Sequence, residues 1–152
     1  MLLIEWGLGA RAWVQRADRQ DKPIKELRGS FKEPEFPGFL NFVEPLSRLS
    51  TVPKGWIDTL RSSRGIYLLT CPRTKEQYVG SATGERGFWG RWLNYLDTGH
   101  GGNVVLKSRE PSDYQVSILE VAGSSATEPE ILQREAHWKI KLQTRQMGLN
   151  GN

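Results

Sequence analysis

The stretch from Arg64 to Gly80, "RGIYLLTCPRTKEQYVG", constrains the fold more than any other part of the chain. In "GIYLLT" the side chains of Ile66 and Leu68 point one way and those of Tyr67 and Leu69 the other, as they do along a strand. The turn-forming "CPRTK" then sends the chain back through "EQYVG", which gives an antiparallel hairpin. "YQVSILEV" from Tyr114 supplies a third strand. Between the second and third strands lies a run with helical spacing, about residues 86–97, and a second helical run follows the third strand, about residues 128–143. The order strand, strand, helix, strand, helix predicts an α+β fold: a small three-stranded antiparallel sheet flanked by helices, as an α/β sandwich.

The first 55 residues have a different character. "LLIEWG" and "RAWVQ" are short apolar runs around Gly7 and Gly9, and Pro23, Pro34, Pro37, Pro45 and Pro53 break up long helices and central strands. An irregular, β-rich extension over residues 1–55 is therefore expected ahead of a regular domain over 56–152. Trp6, Trp13, Phe31, Phe36, Phe39 and Phe42 are too many rings for a segment too short to build its own core. They pack on the following domain, or stand beside Arg11, Arg16 and Arg19 as a stacking platform for nucleic acid. We expect packing for most of the rings and phosphate contact for Arg11 and Arg16.

A chain of 152 residues can bury a core without metal or disulfide staples. Cys71 is its sole cysteine, which excludes an internal disulfide and suggests a reducing, intracellular (cytoplasmic) setting; its simplest role is a small, half-buried side chain in a turn. His100 and His137 are the only histidines, so a Cys-His zinc site is excluded and any metal must be held by oxygen. No apolar run is long enough for a membrane span. The net charge of +4 permits a polyanionic partner without demanding one. The glycines at 80, 84, 87 and 90 lack phosphate-loop spacing and are not followed by a lysine-serine pair, which sets aside a nucleotide hydrolase.

The two helical runs carry the chemistry. In the first, Phe88, Trp89, Trp92, Leu93 and Leu96 form one apolar stripe, with Arg91 and Tyr95 a helical turn apart at its edge. The second begins with a capping box, Thr127 at the N-cap and Glu130 at the third helical position, with Pro129 where no donor is lost. Ile131, Trp138 and Leu142 share a face of this helix, and Glu135 lies about 40° from Ile131 on the same side. A carboxylate in a buried stripe needs a partner, either a basic side chain or a cation, because desolvating it alone costs several kcal/mol.

Taken together, "GIY" at Gly65 to Tyr67, "YVG" at Tyr78 to Gly80, the arginine of "GRW", the glutamate of "QREAHW" and "GLN" at Gly148 to Asn150 resemble the GIY-YIG nuclease family, over about residues 63–151. The resemblance implies a DNA endonuclease that hydrolyses phosphodiester bonds with one divalent cation, Mg2+ or another such as Mn2+. It implies that Glu135 holds the metal, that Arg91 stabilises the transition state, and that one of Tyr67 and Tyr78, with Tyr67 preferred, handles the proton of the attacking water. Tyr95 and Asn150 complete the catalytic set, and His100, in the loop "DTGHGGN", is a looser match to a nucleic-acid-binding histidine. Each has a plainer alternative: an ion pair for Arg91, aromatic packing for the tyrosines, a solvated loop for His100, a chain cap for Asn150. Where some relatives carry a lysine after the second motif this chain has Ser81-Ala82-Thr83-Gly84, which weakens the tyrosine-base detail. The competing functions are a catalytically silent nucleic-acid-binding module of the same fold and a structural adaptor whose tryptophans bind protein.

Overall fold

The computed structural model describes residues 33–151, and residues 35–151 lie within one compact unit, Glu35–Asn152. Trp6, Arg11, Trp13, Arg16, Arg19 and Phe31 lie outside the described residues, as do the short strands expected around Gly7 and Gly9. The elements are β1 (Val43–Pro45), a 3-10 turn (Leu46–Thr51), α1 (Lys54–Arg61), β2 (Gly65–Thr70), β3 (Gln77–Ala82), α2 (Gly87–Thr98), α3 (Val104–Lys107), β4 (Gln115–Val121), α4 (Glu128–Leu142) and α5 (Thr144–Met147). This is an α+β fold.

All strand pairs are antiparallel and the sheet order is β1-β4-β2-β3. The three strands read from the alternation of apolar residues are present, and a short fourth, β1, pairs Val43 with Ser117 at the edge of β4. Three residues ending in Pro45 are too brief for apolar alternation to reveal, and proline is tolerated at such an edge.

The alternation in β2 sorts its side chains into two cores. Tyr67 and Leu69 join Val116, Ile118, Phe88, Trp92 and Tyr95 on the face covered by α2, while Ile66 joins Val79 and Ile131 on the face covered by α4, with Leu68, Trp138 and Leu142 packed around them. Phe36, Phe39 and Phe42 pack into the first of these cores: Phe42 is fully buried and stacks on Trp92 at 5.6 Å with the rings 10° apart, and Phe36 meets Trp56 edge-on at 5.8 Å. Burial of this aromatic surface, at about 25 cal/mol per Å², ties the proline-rich segment to the sheet without regular secondary structure.

The second helix starts as its sequence dictates. The Glu130 N–H donates to Thr127 Oγ1 and the Thr127 N–H donates to Glu130 Oε1 at 2.9 Å, so the capping box satisfies donors at both ends. Glu135 is thereby placed two turns into α4, opposite β3. At the other end, Asn150 is 4% exposed and clips onto β3, its Oδ1 accepting from the Val79 N–H at 2.8 Å and its Nδ2 donating to the Val79 carbonyl at 3.0 Å. The chain end thus satisfies a strand edge that no further strand covers.

Candidate active site

Tyr67 and Gly80 are directly opposed in the β2–β3 ladder, and this pairing explains why the second motif ends in glycine. A Cβ at Gly80 would lie 2.5 Å from the Tyr67 ring, so the phenol crosses the face of β3 only because no side chain is there. Tyr67 is fully buried and its hydroxyl shares a 2.9 Å hydrogen bond with that of Tyr95. Both phenols are pushed well above the ordinary tyrosine range, mainly by burial, and are neutral donors and acceptors at physiological pH.

Arg91, on α2, is fixed by this pair. Its Nε donates to the Tyr67 hydroxyl at 3.1 Å, one terminal nitrogen to the Gly101 carbonyl at 3.1 Å and the other to the Tyr95 hydroxyl at 3.5 Å, while the guanidinium lies 5.2 Å from the centre of the Tyr95 ring. The ion pair with Glu135, left open by the sequence, is absent. All three acceptors are neutral, so the positive charge is oriented without being neutralised, and one N–H on each terminal nitrogen is still available to an anion. Gly101 has φ +56° and a Cβ there would meet the Tyr95 ring at 2.8 Å, so glycine lets the loop carbonyl reach Arg91.

Across the cleft, Glu135 Oε1 pairs with Lys139 Nζ at 3.2 Å, one helical turn on, with side-chain exposures of 17% and 6%. The partner that a carboxylate in the apolar stripe requires is therefore a lysine of its own helix. Sequence reasoning missed Lys139, although the i, i+4 spacing with glutamate on the N-terminal side was a usable signal.

Two adjoining clefts, of about 420 and 490 Å³, meet at Tyr78, Arg91 and Glu135, which line both. The first is completed by polar groups including Ser81, Thr83, Arg86 and Asn94, the second by the glycine loop, Val104, Val105 and Lys139. Tyr78 retains 8% exposure, and its hydroxyl makes no hydrogen bond among the described residues. Tyr67 lines neither cleft. The hydroxyl of Tyr67, the phenol preferred for the water's proton, is enclosed and bonded to Tyr95 and Arg91, and the phenol that lines both clefts is that of Tyr78. The helical stripe needs a correction, since Leu96 is 38% exposed whereas Tyr95 is 2% exposed, its hydroxyl having found polar partners inside.

His100 Nδ1 accepts from the Gly102 N–H at 2.9 Å, bracing its own loop, and does not line either cleft. Asn150 acts on the backbone of Val79 beside Tyr78. Arg86, Asn94 and Thr83 belong to the cleft wall and were not read from the sequence, because nothing in their local pattern separates them from ordinary surface polar groups. Thr83 donates to Glu128 Oε2 at 3.2 Å, tying the end of β3 to the start of α4.

Among the described residues no group of three or more His, Cys, Asp and Glu side chains could cage a metal ion. Glu135 is the carboxylate shared by both clefts, and a magnesium-like ion, which can be held by one or two carboxylates, would take it as ligand. No helix among the described residues is long and apolar enough to cross a membrane.

A mutant form of the catalytic domain of the intron endonuclease I-TevI matches over 59% of this chain and 94% of its own length, at 25% identity and a TM-score of 0.47. Another structure, of the catalytic domain of the homing endonuclease I-TevI, matches over 57% of this chain and 96% of its own length, at 27% identity and a TM-score of 0.45. No protein-family model matches the chain. No curated protein matches it.

Proposed function

We propose that this chain is a metal-assisted DNA endonuclease that hydrolyses phosphodiester bonds at the junction of the two clefts. The observation that carries the reading is the convergence of Tyr78, Arg91 and Glu135, from three different elements, on one solvent-open site. Those three residue types can serve as an anion clamp, a cation ligand and a proton-handling phenol, each of which suits phosphodiester hydrolysis.

In this reading Arg91 receives two oxygens of the scissile phosphate on its two remaining N–H groups, and its pre-set orientation means that little reorganisation accompanies the growth of negative charge in the transition state. Tyr78, as the phenolate, hydrogen-bonds the attacking water and takes up its proton, and Arg91, which lines the same cleft, stabilises that anion. Glu135 would hold Mg2+ or Mn2+, which when bound supplies Lewis-acid polarisation of the phosphate and stabilises the leaving oxygen. Tyr67 and Tyr95 position Arg91 and never meet the substrate. Lys139 keeps Glu135 charge-compensated until the cation arrives. Arg86, Asn94 and Thr83 provide polar groups for the flanking backbone.

The test is incubation of the full chain with supercoiled plasmid, with magnesium and with chelator, alongside Glu135→Gln. Nicking that needs both magnesium and Glu135 is expected. Nicking by both proteins, or by neither across duplex, nicked and branched substrates, would favour the silent binding module.

A further inference from the structure

The first cleft holds a cation that nothing in the fold uses. Arg86 immediately precedes α2, is exposed, and lines the cleft of about 420 Å³ together with Arg91. Among the described residues its guanidinium makes no hydrogen bond and no ion pair, although Glu85 is its chain neighbour and lines the same cleft. The other carboxylate of that wall, Glu135, is taken by Lys139. The charge of Arg86 is therefore uncompensated within the site.

Its course is set by Gly90. A Cβ at that position would lie 2.5 Å from the Cβ of Arg86 and 3.2 Å from its Nε, so the arginine stem crosses the surface of α2 only because no side chain is there. The backbone beneath it is also held. The Gly90 N–H donates to the Arg86 carbonyl at 2.9 Å, and the next two N–H groups, of Gly87 and Phe88, donate to the carbonyls of Gly84 and Ser63 at 3.2 and 3.0 Å. Arg86, Gly90 and Asn94 are spaced four residues apart along one side of α2 and all three line the cleft. The row has a cation at one end, an amide at the other and no side chain between them. That shape suits a sugar–phosphate strand, whose successive phosphates need separate donors and whose intervening sugar needs room.

We propose that Arg86 binds the phosphate next to the scissile one, so that the cleaved strand lies along the row Arg86, Gly90, Asn94 with Arg91 at the bond that breaks. This rests on the nuclease reading above and adds a direction to it: the strand must carry a backbone phosphate on the side of the site where α2 begins. The guanidinium fork donates to the oxygens of that phosphate, a contact that fixes position and carries no base preference.

The experiment measures binding of the full chain to a labelled duplex oligonucleotide in chelator, across a range of sodium chloride concentrations, beside nicking of supercoiled plasmid in magnesium. Arg86→Ala is expected to weaken binding about tenfold, as for the loss of one charge-assisted hydrogen bond, and to lower the salt slope by about 0.9, for one phosphate released. Arg86→Lys should keep the slope, because the slope counts charge. Arg73→Ala removes an exposed arginine that pairs with Glu110 outside both clefts, and should change neither quantity. In nicking, Arg86→Ala should raise the DNA concentration for half-maximal rate about tenfold and leave the maximal rate within about twofold. Wild-type slope and affinity in Arg86→Ala overturn the proposal, and so does an equal loss in Arg73→Ala, which would make the effect one of net charge. The two readings fail separately. A flattened slope in a chain that never nicks supports the phosphate contact and removes the nuclease, whereas an unchanged slope in a chain that nicks removes only the contact.

Discussion

The two charges that face each other across the cleft are held in opposite ways. Arg91 has three neutral oxygens, from two strand and helix phenols and a loop carbonyl, each on a different element. Glu135 has one cationic partner, Lys139, on its own helix. The first arrangement fixes direction and leaves the charge intact, as suits a group that must meet a developing anion. The second cancels the charge and restrains a single oxygen, as suits a ligand that exchanges one cation for another.

The comparison is broken most severely at Glu135. Glu135→Gln is expected to lower cleavage by about 10³-fold, since the amide cannot hold the cation, while DNA binding stays close to wild type and stability falls by roughly 1–2 kcal/mol because Lys139 loses its compensating charge. Plasmid nicking, a binding titration and a melting curve check this, and cleavage reduced no further than the loss of folded protein explains would make Glu135 only a structural partner of Lys139. Arg91→Lys comes next, at about 10²-fold, because lysine keeps the charge but cannot engage Tyr67, Tyr95 and Gly101 together with two phosphate oxygens; single-turnover nicking measures it.

Asn150→Ala tests the scaffold common to both sides. It leaves the buried Val79 N–H and carbonyl without partners and is expected to cost about 2 kcal/mol of stability, read by urea unfolding. Lys139→Met sharpens the asymmetry: the unpaired carboxylate should cost roughly 1–2 kcal/mol in chelator, discounted for its partial exposure, and magnesium should restore most of the loss. An identical loss with and without magnesium would mean that no cation takes the place of the lysine.

Tyr67→Phe has the smallest effect, about 1 kcal/mol or roughly fivefold in rate, through a less firmly held Arg91. It also has a pH signature. Tyr67 and Tyr95 are raised by burial, so above about pH 10 the unfolded phenols lose protons while the folded ones keep them, and stability falls as pH rises. Removing one of the two phenols should make that alkaline decline shallower.

Much of this was legible before any coordinates. The alternation in "GIYLLT" assigned Ile66 and Tyr67 to opposite cores, and Thr127, Pro129 and Glu130 located the start of α4 to the residue, because both signals are local and periodic. Glu135 stood out for the same reason, as a charge in an apolar stripe. What stayed hidden depends on contacts distant in sequence. The enclosure of Tyr67 follows from Tyr95 and Gly80 closing over it, and nothing in the triplet "GIY" distinguishes a buried phenol from one facing a cleft. The partner of Glu135 is the exception, since Lys139 lies only four residues away. β1 was invisible because three residues beside a proline carry no period, although Phe36, Phe39 and Phe42 did signal that their segment packs on the sheet.

The Asn150 clip carries a consequence for how the molecule is made. Its two hydrogen bonds reach back 71 residues to Val79. At ordinary synthesis rates of about 5–20 residues per second, the ribosome finishes the β2–β3 hairpin about 4–14 s before it adds the residue that fastens that hairpin's outer edge. For much of that interval Glu135 and Lys139 are still to come, so once Arg91 is added the nascent chain carries Tyr67, Tyr78 and Arg91 with no cation ligand beside them. On the proposed reading, a hydrolase ordered in this way lacks its cation ligand while the chain is still tethered beside messenger RNA, until residue 135 has emerged.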